Sequence, residues 1–343
     1  MGPAPASLAR RVPAFAAAGL LLGLLLADAS AVPWRDDLDG VKTALQQRYA
    51  VLPEPASKEE ARRLAALEKC FRILDATSTS DEKDLSMAAA LSKVLDKAFP
   101  GDAAFGTALD GALDSMALRV QGDRDRLGGF LAAQGNSLRD PVRVQARIAA
   151  AGERLAEAAA APDRASRAKA LAAALKMVRS GWKTAFAGVS LEGIEEKTLR
   201  VAAGTGEMTA LLGGESFAAH IATASIRDGL LVVMGREVTG LSSGTFRAVD
   251  FLVPSFHGTG TYDLGFLVIV PQVLVGIGSL EPSDVYATLS TSSPYRATLT
   301  VTAYDEERRF VEGTLTGLLV ALDPERIPQE LAVTGLSFRI PLR

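Results

Sequence analysis

The sequence predicts an α+β chain of two domains, an N-terminal all-α helical bundle followed by a C-terminal antiparallel β-sandwich, with a β-barrel as the alternative closure. Two observations carry this. Apolar residues recur at spacings of three and four in the first half and at a spacing of two in the second. Thr occurs 5 times in residues 32–189 and 16 times in 190–343, whereas Ala runs such as Ala158–Ala161 and Ala172–Ala174 lie in the first part. The chain thus passes from helix formers to strand formers near residue 190. The expected division is a signal peptide over 1–31, a helical bundle over 32–189, a linker or first strand over 190–204 and an all-β domain over 205–343.

Six amphipathic helices are expected in the first half. Leu38, Val41, Leu45 and Tyr49 make one apolar face. After Pro53 and Pro55, Ser57 and Glu60 have capping-box spacing, and Leu64, Leu67, Phe71 and Leu74 form the stripe behind them. A third helix carries Leu85, Ala88, Leu91 and Leu95 until Pro100, and a fourth carries Phe105, Leu109, Leu113, Met116 and Val120. Asp140-Pro141 is a cap followed by the helical position that tolerates proline, with Val144, Ile148 and Leu155 behind it. Asp163 caps the sixth, which carries Leu171, Leu175, Val178 and Trp182, and Gly181 is placed where that helix can end. Such one-sided helices bury their stripes against each other.

In the second half, Ala297, Leu299, Val301 and Ala303 alternate with Thr298, Thr300 and Thr302, the pattern of a strand buried on one face. Asp305 to Arg308 is a polar turn into a strand with Val311, Leu315 and Leu319, which makes an antiparallel hairpin. Leu336, Phe338 and Ile340 alternate in a last strand, and Gly229–Met234, Thr245–Val253 and Val285–Thr291 read as others.

Composition removes several functions. With 37 Lys plus Arg against 40 Asp plus Glu the net charge is −3, and the 35 against 39 left after residue 31 give −4, so no nucleic-acid partner is expected. One Cys and two His leave no disulfide framework, no Cys-rich zinc site and no expected cofactor. Arg10-Arg11, the uncharged run Ala14–Ala27 and the small residues Ala29-Ser30-Ala31 form a secretory signal, with cleavage expected after Ala31. The run is shorter than the ~20 apolar residues that span a bilayer, and no integral span is expected once it is removed. Val32 stands where a lipoprotein carries its lipidated Cys. A periplasmic or secreted location is expected, and the Ala-, Arg-, Leu- and Gly-rich composition suits a GC-rich bacterium.

Four segments then carry a resemblance: Met208-Thr-Ala-Leu-Leu-Gly-Gly-Glu-Ser-Phe217, Gly258-Thr-Gly-Thr-Tyr-Asp-Leu-Gly265, Leu299–Glu312 with the following Gly313-Thr-Leu-Thr-Gly317, and Gly335-Leu-Ser-Phe338. Residues from about 205 to 343 resemble a bacterial all-β domain family of unknown function, found in secreted proteins and lipoproteins. The likeness departs from that family at Leu315, where an aromatic is usual. It implies an all-β extracytoplasmic domain and brings no catalytic residue.

Chemistry-bearing motifs are sparse. Gly240-Leu-Ser-Ser-Gly244 matches G-x-S-x-G, but a strand follows where a nucleophile elbow needs a helix, so Ser242, Asp250 and His257 are not expected to form a triad. His220 and His257 make at best a weak metal pair. Gly204-Thr-Gly206 and Gly258-Thr-Gly260 read as turns, Glu192, Glu195 and Glu196 as linker charges, and Asp123-Arg-Asp125 as an incomplete calcium loop. Cys70 is expected to be buried beside Phe71. The ligand-binding candidates are His257, Tyr262 and Phe266, a patch of loops at one end of the β domain, although core or sheet-edge packing is the favoured reading of the two aromatics. The expected function is that of a non-enzymatic binding or structural module with an extracytoplasmic ligand or protein partner. The alternatives are a secreted hydrolase whose site is not recognisable, or a barrel carrier of a small apolar ligand.

Overall fold

The computed structural model describes residues 38–51, 55, 57–75, 81–189, 191, 196–267, 270–288, 294–306 and 309–342. The signal segment 1–31, Glu192, Glu195 and the side chain of Phe266 lie outside that description. Two compact units meet in sequence at Ala185/Phe186, helical before and β-rich after.

The helical unit contains six α-helices, α1 (Asp39–Val51), α2 (Lys58–Asp75), α3 (Asp81–Ala98), α4 (Ala103–Gln134), α5 (Pro141–Ala159) and α6 (Arg164–Ala185). Their starts are chemically specified. Ser57 Oγ accepts from Glu60 N at 3.1 Å, Asp140 Oδ1 from Arg143 N at 3.0 Å and Asp163 Oδ1 from Ser166 N at 2.8 Å, each satisfying an orphan first-turn donor. Helix α6 packs on α3, α4 and α5, and the stripe residues meet in one core that includes Leu45, Leu67, Leu91, Leu113, Met116 and Leu175.

One expectation changes here, that for Gly181, and two are refined. Helix α4 runs past Val120, the last stripe residue read in it, to Gln134 and buries Leu127 and Phe130, and Asp123 is a helical residue paired with Arg126. Gly181 does not end α6. It lies inside that helix, where an added Cβ would come within 2.4 Å of Leu127 Cδ2, so the glycine permits two helices to approach closely. Cys70 sits in the middle of the α2 stripe with Leu67 and Leu74, while Leu64 and Phe71 flank it half-buried.

Burial pushes the Cys70 thiol up from 9.0 to about 11. A group whose proton is held more tightly when folded supports folding below its unfolded value and loses that support as pH rises, here between 9 and about 11. Cys70 is therefore expected to react with a thiol reagent at pH 8 only after denaturation. Stoichiometric labelling of the native chain would show that α2 is not packed as described.

The β unit opens with a short helix, α7 (Glu196–Ala202), in the stretch expected to be linker or strand. Leu199 is its buried anchor, and Glu196 reaches back to accept from Gly188 N at 2.9 Å. Thirteen strands follow: β1 (Glu207–Leu212), β2 (Glu215–Ala218), β3 (Ile221–Arg227), β4 (Leu230–Gly240), β5 (Thr245–Val253), β6 (Gly260–Leu264), β7 (Phe266–Leu267), β8 (Val270–Pro271), β9 (Val273–Gly278), β10 (Val285–Ala287), β11 (Ala297–Asp305), β12 (Phe310–Ala321) and β13 (Glu330–Pro341). Apart from the small β7–β8 ladder they form one antiparallel curled sheet, ordered β2-β1-β13-β12-β10-β9-β5-β4-β3.

Strand β12 is a branch point. Its first part, Phe310–Gly317, pairs with β11, which continues to β6, and its end, Val320–Ala321, pairs with β10. The two ends of the strand order come back towards each other. Arg247 of β5 donates to the Ser216 carbonyl of β2 and holds Glu237 of β4 with Nε at 2.6 Å, and Ala224 of β3 bridges to Leu342. The face turned inward is packed by large side chains, among them Phe217, Phe251, Tyr262, Leu315 and Phe338, with the Phe251 and Phe338 rings 5.3 Å apart.

Candidate functional site

The expected loop patch is only partly a surface. Tyr262 is buried in the core of the β unit, where its hydroxyl donates to the Gly258 carbonyl at 2.7 Å and its ring stacks on Phe256 at 5.7 Å. That tyrosine braces the glycine turn from within the core. His257 is exposed, its ring 5.1 Å from that of Tyr262 and its Nδ1 3.0 Å from the Ser255 carbonyl oxygen. Phe266 is described only by its backbone pairing with Pro271.

The serine motif is a hairpin. Gly244, at φ +70°, turns the chain between β4 and β5, and Ser243 Oγ donates to the Gly240 carbonyl at 3.2 Å. Ser242 precedes β5 and His257 follows it, so the nine-residue strand separates the two. Asp250 is bound face to face by Arg236. Ser242→Ala is accordingly expected to leave stability within about 0.5 kcal/mol of the parent, as for an exposed turn residue, and to leave the reactivity of the protein toward a fluorophosphonate probe unchanged. Labelling that this substitution abolished would reinstate the hydrolase.

His220 lies between β2 and β3, and its Nδ1 accepts from Val238 N at 3.0 Å, near the hairpin end of β4. It is separated from His257 by the same strand length. Among the described residues no group of three or more His, Cys, Asp or Glu is placed to hold a metal ion, and no helix is long and apolar enough to cross a membrane.

In the helical unit a cleft of about 220 Å³ is lined by Phe99, Phe105, Asp102, Asp96, Asp110 and Arg164, among others. Its charges are already engaged. Arg164 donates to both Asp110 oxygens at 2.8 and 2.9 Å and to Asp96 at 3.0 Å, and its hydrogen bonds, then its charge, hold the Asp110 carboxyl below the usual carboxylate range. Gly106 leaves the space that the guanidinium fills, since an added Cβ would stand 2.8 Å from Arg164 Nη2. This is a helix-joining ion cluster, half exposed and worth little individually.

The feature that stands out is the solvent face of β1, β13, β12, β11 and β6. Strand alternation turns Thr209, Ser337, Thr314, Thr300 and Thr261 outward. The register then places them side by side: Thr209 opposite Ser337, Ser337 opposite Thr314, Thr314 opposite Thr300, and Thr300 opposite Thr261. One row of hydroxyls therefore crosses five strands. Two residues further along β1, β12, β11 and β6 lie the members of a second row, Leu211, Thr316, Thr298 and Asp263, with Thr316 opposite Thr298 and Thr298 opposite Asp263, while on β13 Thr334, opposite Leu211, is three residues from Ser337 across an irregularity in the pairing with β12.

Within these rows Thr209 and Ser337 share a hydrogen bond at 3.2 Å and Thr298 donates to Asp263 at 3.4 Å. Thr261, Thr300, Thr314, Thr316 and Thr334 make no side-chain hydrogen bond to the described residues, so their hydroxyls face water. Charge lies at Asp263 at one end of the second row and at the flanking Glu207, Arg339, Glu312 and Arg296, and no ring lies in either row. The sequence shows the pieces, Thr298-Leu-Thr300-Val-Thr302 and Thr314-Leu-Thr316, but their alignment depends on pairings such as Thr209 with Ser337 that no local pattern reveals. Comparison of the chain with protein-family models, curated proteins and solved structures returns no match.

Proposed function

We propose that this protein is an extracytoplasmic, non-enzymatic binding module whose binding surface is the hydroxyl-lined face of the β unit. The observation that carries the reading is the five-strand row from Thr209 to Thr261, free of charge and exposed but for the half-buried Thr300. A neutral polar face with two-dimensional order suits a partner that is itself neutral, rich in hydrogen-bonding groups and repetitive. In this reading the β unit is a two-layered sandwich, β2-β1-β13-β12-β11-β6 over β10-β9-β5-β4-β3, joined through β12. The packing of Phe217, Phe251 and Phe338 between the layers argues against an apolar-ligand carrier, and the strand-length separation of Ser242 from His257 argues against a serine hydrolase. The resemblance of residues 205–343 to an extracytoplasmic all-β family and the signal-like segment 1–31 support export.

The test is co-sedimentation of the chain from residue 32 with insoluble neutral matrices: glucan, chitin, murein sacculi and ice. Binding to at least one of them, lost in a Thr314→Lys/Thr316→Lys variant with an unchanged circular-dichroism spectrum, is expected. Equal binding by parent and variant, or none by the parent, would remove the face from consideration.

A further inference from the structure

We propose, building on that reading, that the ordered partner of this face is crystalline water, so that the β unit adsorbs to ice. On β11 and β12 the threonines Thr298, Thr300, Thr314 and Thr316 stand one strand spacing apart across the pair, ~4.8 Å, and two residues apart along it, ~6.8 Å. The water oxygens on a prism face of hexagonal ice repeat at comparable intervals along two perpendicular directions. The threonine at each of these four points offers a hydroxyl that can stand in for one lattice oxygen and a methyl group that keeps the neighbouring water from turning inward.

The central four positions are the best ordered. Thr298 and Thr300 on β11 stand directly opposite Thr316 and Thr314 on β12, a two-by-two array. Thr334 and Ser337 on β13 and Thr261 on β6 extend it by one strand on each side. Their β-branched side chains hold few rotamers, which favours recognition of a rigid lattice because little side-chain freedom is lost on contact.

The neutrality of the array matches a neutral lattice, and the same array fits other neutral partners less well. A pyranose ring is usually gripped by an aromatic platform, and neither row contains one, since Tyr262 and Phe338 point into the core. A protein partner would be met by an apolar centre, and Leu211 at the edge is the apolar member of the two rows. A phosphate or other anion would need a basic residue within the rows, and the arginines beside them lie outside both, Arg339 between Glu207 and Glu312 and Arg296 just before β11.

The experiment freezes a dilute solution of the chain from residue 32 slowly onto a cold finger and measures the protein in the ice and in the remaining liquid, alongside inhibition of ice recrystallisation. Enrichment of the parent in the ice, lost in Thr314→Lys/Thr316→Lys and retained in Thr239→Lys on the β4 edge of the hairpin, is the expected result. Exclusion of the parent from ice, or equal enrichment of all three proteins, overturns the proposal. Failure here together with variant-sensitive sedimentation on glucan or chitin overturns the ice assignment while leaving the binding face in place; failure in both assays removes the face itself.

Discussion

Asp250→Ala is expected to destabilise the β unit by about 3–5 kcal/mol, because it strands a buried guanidinium. Arg236 is 2% exposed and its carboxylate partner 10%. Nη2 donates to Asp250 Oδ2 at 2.8 Å, Nη1 to Oδ1 and also to the Gly235 carbonyl at 2.9 Å, and the guanidinium lies 5.4 Å from the Phe246 ring centre. Arg236 Nε finds no acceptor, so the pair does not fully recover what burial takes from it. The cost of losing one partner is then large although the net worth of the pair is small. Arg236→Met/Asp250→Leu, which removes both charges, is expected to lie much nearer the parent. Denaturant titration followed by the β circular-dichroism signal distinguishes these, with the fluorescence of Trp182, buried against Phe130 in the helical unit, as an internal reference. A loss under about 1 kcal/mol for Asp250→Ala would mean that water reaches the pair.

Gly313→Ala is expected to cost about 3 kcal/mol, the upper end of overpacking penalties. Its Cβ would stand 2.4 Å from the Thr300 carbonyl oxygen, 2.9 Å from Phe338 Cζ and 3.1 Å from Val301 Cα. Two of these are backbone atoms on the neighbouring strand, which cannot rotate away. Gly313 pairs across β13 with Phe338, whose ring covers the place its side chain would take. The same substitution should shift Thr314 against Thr300 and weaken binding by the hydroxyl face. A variant as stable as the parent in thermal unfolding would mean that β11 and β12 lie further apart than the register indicates.

What could be read in the sequence follows the range of the interaction. The six helices were legible because a stripe such as Leu85, Ala88, Leu91 and Leu95 needs only the period of the helix, and the caps at Ser57, Asp140 and Asp163 only the next three residues. Strand β5 was read with its limits intact, and the alternation from Ala297 held until the bulge at Thr302 left Ala303 half-buried. Gly181 was misread because a glycine near a helix end and a glycine under a crossing helix look alike until Leu127 is in place. Helix α7 was missed because seven residues carry too little periodicity. Arg236 and Asp250 gave no signal, being ordinary charges until neighbouring strands set them side by side. Tyr262 was weighed as surface or core, and its hydrogen bond to Gly258 decides for the core.

Strand β13 lies between β1 and β12, so the first strand of the β unit finds its long-range partner in the final one, Thr209 meeting Ser337. This sets the order of events in folding. The helical unit closes through contacts among neighbouring helices and can collapse as soon as its own residues are free, whereas the β1–β2 hairpin must wait, half paired, for more than a hundred intervening residues. A chain threaded across a membrane from its N-terminus would therefore complete its sheet only after synthesis and passage of β13, and until then β1 would have no link to β12. Slow, single-step acquisition of β structure after rapid helix formation is the kinetic signature that this topology imposes.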